Sequence, residues 1–186
     1  MSAIVMAGVY AVWLAAGALD FHFHRRTDLP HTSAMRESLL HGLQLLLIGS
    51  GVLAWLVLES TWLLVALLAV LVIAHAIAGY LDTVSADGRR RISPAEQHVH
   101  SVLDAAPWVL LGGVAWQAEP RWAVNVAPAA PALWGFVLLP ALGLVVLPWL
   151  WELRQCVRAS EQRQRGPREE HCAGYSCGRH IAKTVM

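Results

Sequence analysis

Residues 61–82 read TWLLVALLAVLVIAHAIAGYLD, an almost unbroken apolar run holding one histidine, His75, and closed by Asp82. About 20 apolar residues, rising about 1.5 Å each in a helix, cross the hydrocarbon core of a bilayer. The stretch therefore reads as a transmembrane helix. His75 lies in its middle, between Val72-Ile73-Ala74 and Ala76-Ile77-Ala78. An ionisable side chain at that depth is costly in lipid, so it faces a bundle interior and marks function by default.

Working outward, four more runs qualify at about 3–20, 38–58, 96–116 and 132–152. The 186-residue chain is 56% hydrophobic and 15% charged, with mean hydropathy +0.49. A soluble domain of this size must show water a polar face that these runs lack. The expectation is an all-α integral membrane bundle of about five transmembrane helices: a transmembrane domain over 1–153, then a polar, disordered tail over 154–186. The first run lacks a basic flank before it and has Asp20 and histidines where a cleavage site would sit, so it reads as a retained helix.

Arginine placement sets the expected orientation. Arg25, Arg26, Arg36, Arg89, Arg90 and Arg91 follow spans one and three, and Arg154, Arg158, Arg163 and Arg165 follow span five, whereas the opposite loops hold only Arg121. By the positive-inside rule the N-terminus is outside and the C-terminus cytoplasmic, in a bacterial inner membrane. Trp55, Trp62, Trp116, Trp122, Trp149 and Trp151 lie near span ends, as interfacial anchors do. Ser93-Pro94-Ala95-Glu96 reads as a capping box with proline at the first helical position. Pro107, Pro140 and Pro148 fall inside spans, where they kink helices. The segment 117–131 is too proline-rich for a helix.

The chemistry is at the predicted inner ends. Asp20/His24, Glu37/His41 and Glu96/His100 are spaced by four and His75/Asp82 by seven, which puts each pair on one helix face. His100 lies about 6 Å, and Asp104 about 12 Å, deeper than Glu96, and His75 about 10 Å deeper than Asp82. One shallow layer shared by four helices could then gather Asp20, His24, Glu37, His41, His75, Asp82, Glu96, His100 and Asp104. His98, two residues from Glu96 and His100, joins as a neighbour of the centre. Span five and the outer halves contribute nothing to this layer.

Imidazole and carboxylate together suit iron and similar divalent ions, and paired carboxylates suit a two-metal centre. No cysteine lies within spans one to four, which argues against iron–sulfur or structural zinc. In the tail, His171, Cys172, Cys177 and His180 form only a weak metal pattern. A net charge of +1 gives no electrostatic case for nucleic acid. Single elements have plainer readings: Glu96 completes the capping box, and the arginines set topology and meet lipid headgroups.

His22-x-His24 and His98-x-His100, with acids at Asp20, Glu37, Asp82 and Glu96, resemble in plan the membrane-bound histidine-box di-iron desaturases and hydroxylases. Those enzymes carry His-x-x-x-His and His-x-x-His-His boxes where this chain alternates histidine with acid. Residues 25–32, 36–41 and 92–101 are also similar to an uncharacterised family of small bacterial membrane proteins. The first resemblance implies two divalent metal ions, most readily iron, and an oxidoreductase acting on a lipid-like substrate near the cytoplasmic face, with an electron donor docking on the arginines. The rival expectations are a non-catalytic metal or haem carrier, with His41 and His75 as haem ligands, and a structural or assembly subunit of a membrane complex.

Overall fold

The computed structural model describes residues 1–26, 34–87 and 92–173. The Pro30-containing break, His31, Gly88, Arg89, Arg90, Arg91, Cys177 and His180 lie outside the described residues. The described chain is helical: α1 (Ala3–Arg26), α2 (Ala34–Val57), α3 (Trp62–Ala86), α4 (Pro94–Gln117), α5 (Pro131–Ala141) and α6 (Leu147–Ala173), with a π-helical turn, Leu142–Val146, joining the last two. Five helical segments are long and apolar enough to cross a membrane, the fifth running from Pro131 to Gln164 through the π turn. The chain is a multi-pass membrane protein.

Local sequence explains the boundaries. Thr61 caps α3 by accepting from the Leu64 N–H at 3.4 Å. Ser93 caps α4 by accepting from the Glu96 N–H at 3.2 Å, while the Glu96 carboxylate accepts from the Ser93 N–H at 3.4 Å. The expected capping box is thus formed. Between Pro140 and Pro148 the helix widens, and Leu147 N–H reaches back five residues to Leu142 O. Pro148 has no N–H and crowds the carbonyl four residues before it, and a wider turn relieves that clash. The helix then continues through the residues read as the start of a disordered tail, as far as Ala173.

Packing closes a ring. α1 packs on α4, α4 on α3, α3 on α2, α2 on α6, and the π turn with α6 returns to α1. The stripe along α3 shows how the sequence sets this up. Leu64, Leu68, Val72, His75, Ala78 and Asp82 are buried, while Val70, Ile73, Ile77 and Tyr80 face outward, Tyr80 at 69% exposure. Outward apolar residues are expected where lipid and not water is the solvent.

Close contacts fix neighbours. Trp149 lies flat against Gly42, where a Cβ would come within 2.6 Å of the ring, and its indole N–H donates to Ser38 O at 2.9 Å. Trp149 therefore sits in a helix–helix seam, not in an interfacial belt, because only glycine lets the ring approach α2 this closely. Trp116 and Trp122 are exposed, at 81% and 71%. At the end opposite the acids and histidines, the 118–130 segment lies on the α2–α3 turn through Glu59 N–H to Asn125 O (3.0 Å) and Ala127 N–H to Val57 O (2.9 Å). Glu59 there pairs with Arg121.

Candidate metal centre

At one end of the ring, eight ionisable side chains from all five spans converge. α1 brings Asp20 and His24 from its last two turns, α2 Glu37 and His41 from its first two, α3 Asp82 near its end, and α4 Glu96 and His100 from its start. Asp20, His24, Glu37, His41, Asp82 and Glu96 are buried, with Glu37 at 0% exposure. The fifth span supplies Glu152, also buried.

Asp20 stands at the centre. Its Oδ1 accepts from His100 Nε2 at 2.9 Å and lies 3.5 Å from His24 Nε2, while its Oδ2 lies 4.0 Å from His41 Nε2. The i, i+4 spacing within α1 makes the His24 contact, and the α1–α4 packing makes the His100 contact. His41 Nε2 donates to Asp82 Oδ2 at 3.0 Å, and Asp82 Oδ1 is buried with no hydrogen-bond partner among the described residues. Glu37 Oε1 lies 3.6 Å from His24 Nε2.

Glu152 ties two histidines together from behind. Its Oε2 accepts from His24 Nδ1 at 2.8 Å and its Oε1 from His41 Nδ1 at 3.4 Å. An ionised carboxylate can only accept, so both Nδ1 atoms carry the proton. Each ring thereby turns its Nε2 toward the Asp20, Glu37 and Asp82 carboxylates. The two rings stack at 4.6 Å with an 18° tilt, and Phe21 meets both edge-on at 5.9 Å. Orienting a ligating imidazole through a carboxylate on its other nitrogen is the usual device at metal sites.

Two groups of donor atoms are compact enough to hold an ion. One atom each from Asp20, His24, Glu96 and His100 lie within 4.8 Å of one another, as do those of His24, Glu37 and His41. Ligands about 2.0–2.3 Å from a common ion are separated by distances of that order. His24 belongs to both groups, but one nitrogen lone pair binds one ion. Asp20 belongs to the first group alone.

Comparisons with models of known protein families, with curated proteins and with solved structures return no match. The chain's own geometry carries the reading of the site.

Seven of the ten expected ligands come together: Asp20, His24, Glu37, His41, Asp82, Glu96 and His100. Glu96 both caps α4 and faces the cluster. Three do not join. His98 is exposed, because a residue two positions from Glu96 and from His100 falls on the far side of the helix. His75 is buried but makes no hydrogen bond or ion pair among the described residues, and it belongs to neither donor group. Its seven-residue offset from Asp82 takes it too deep to reach the others. Asp104 is exposed along the α3–α4 seam, its carboxylate against Gly79, where a Cβ would come within 3.2 Å. The expectation that span five contributes nothing also fails. Glu152, between Trp151 and Leu153 at the end of the fifth apolar run, carried the signal: an acid inside a span.

Proposed function

We propose that this protein is a membrane-embedded two-metal oxidoreductase acting on a lipid-like substrate. The observation that carries the reading is Asp20, a buried carboxylate whose two oxygens turn toward histidines on two different helices. A carboxylate so placed would suit a bridging role between two ions. The unpartnered Asp82 Oδ1 beside His41 adds a buried acceptor suited to a cation.

The donors suggest the type of ion. Three imidazoles and three carboxylates, with no thiolate in either group, favour iron or manganese over structural zinc. When bound, such a pair supplies redox chemistry with dioxygen. This chain's own residues do the rest. His41 and His100, whose Nε2 atoms meet Asp82 and Asp20, would give up those protons to become ligands, so loading would release protons. Glu152 keeps the Nδ1 protons of His24 and His41 in place. Phe21 walls the stacked rings with apolar surface and limits water there.

We further propose that the cluster end faces the cytoplasm of a bacterial inner membrane, on the arginine distribution. An electron donor would dock on that face. A b-type haem on His41 and His75 is less well supported: both ring nitrogens of His41 are held, by Asp82 and by Glu152. The deciding experiment is metal analysis by mass spectrometry on detergent-purified protein. About two irons or manganese ions per chain, lost in Asp20→Ala, is the expected result. A metal-free protein after growth in iron, manganese and zinc would leave a partner-binding membrane subunit as the better reading.

A further inference from the structure

Opposite the cluster, the interior of the ring is open. A cavity of about 300 Å³ lies between α1, α2, α3, α4 and α5. Two polar groups in its wall are already committed. Tyr10 O–H donates to Val137 O at 2.6 Å, and the Gln117 amide donates to Gly113 O at 3.1 Å. What remains toward the space is hydrocarbon and aromatic surface. Apolar surface of that kind does not hold ordered water, and leaving it uncovered forfeits dispersion contacts.

Its proportions narrow the occupant. The wall runs from Pro107 to Gln117 on α4 and from Ala3 to Trp13 on α1, each about 15 Å along a helix axis. An apolar space of that length, inside helices whose outer faces meet lipid, suits an extended hydrocarbon chain. The cavity's inner limit on α3 is Val72. The next ionisable residues on the same buried stripe are His75 and Asp82, about 5 Å and about 15 Å further along the axis. Cavity and cluster thus lie in line inside one ring of helices.

We infer that the cavity binds a single unbranched acyl chain of a bilayer lipid, inserted along the bundle axis with its end at the level of His75. Occupancy stands on the cavity alone. Only the role of that chain as substrate rests on the metal-centre reading. His75, buried without a polar partner among the described residues, then marks the boundary between the apolar cavity and the ionic cluster.

The test is reconstitution into vesicles of phosphatidylcholine bearing a mid-chain diazirine on one palmitoyl group, followed by photolysis and peptide mapping. Annular lipid labels Val70 and Ile73, which face outward. A chain inside the ring labels Leu68 and Val72, which do not. The expected result is labelling of both pairs in the natural sequence. Ala7→Trp, and independently Val52→Phe, should remove the Leu68 and Val72 adducts and leave those at Val70 and Ile73, the latter showing that the variant is still folded in the bilayer. Labelling confined to outward positions would overturn the inference, as would inward adducts that persist in both variants. Metal analysis of the same preparations keeps the two readings apart: inward adducts in a metal-free protein sink the metal centre and not the lipid site, and metal without inward adducts does the reverse.

Discussion

Glu152 and His24 lie 128 positions apart in the chain, yet Glu152 Oε2 accepts a hydrogen bond from His24 Nδ1 at 2.8 Å inside the bundle. The same carboxylate holds His41, so one residue of the fifth span sets the direction of two imidazoles from the first and second. Removing such a support typically lowers metal affinity by about 10–100-fold. Glu152→Gln should therefore weaken binding by that order while the helical content stays native, as read by metal titration and circular dichroism on the same sample. Equal affinity in the two proteins would mean that Glu152 is only a packing residue.

Asp20→Asn keeps the shape of the side chain and removes its charge and one of its acceptors. A bridging role requires that the number of ions per chain fall from about two to one or none. His98→Ala is the matched control, since His98 is exposed and outside both donor groups. Its metal content should match that of the natural protein. A loss in His98→Ala comparable with that in Asp20→Asn would contradict the placement of the centre.

Gly42→Ala puts a methyl group within 2.6 Å of the Trp149 ring, which cannot slide away without giving up its bond to Ser38 O. Overpacking of this kind costs about 1–3 kcal/mol. A lower thermal midpoint in detergent is expected, with partial recovery when Trp149→Phe is added. At Gly113 an added Cβ would meet Met6 and Met1, whose flexible ends can move, and Gly113→Ala should be the milder change.

The acid response of the opposite end follows from Glu59. The Asn125 amide, donating to Glu59 Oε2 at 3.0 Å, and after it Arg121 hold this carboxyl below its usual range. A carboxyl lowered in the folded state adds stability that is complete above its ordinary value, about 4.3, and is lost as pH falls through the lowered one. Hydrogen exchange in the 118–130 segment should accordingly rise in that window and not near neutral pH. In Glu59→Gln the step should vanish. A step that persists there would assign it to another group.

The sequence alone was sufficient for the number and nature of the spans, because length and apolarity are properties of a stretch of chain and the bilayer supplies the rest. It was sufficient, too, for the pairing of acid with histidine at Asp20/His24, Glu37/His41 and Glu96/His100, since a spacing of four defines a helix face without reference to any neighbour. The Ser93–Glu96 cap was legible for the same reason. What periodicity does not contain is the relative depth and rotation of helices distant in the chain. Those are decided by close approaches such as Trp149 on Gly42 and by the wide turn between Pro140 and Pro148, which set how the last helix meets α1 and α2. That packing brought Glu152 behind His24 and His41. It left His75 a turn below the cavity and Asp104 in a seam, although along the chain each resembled the residues that did converge.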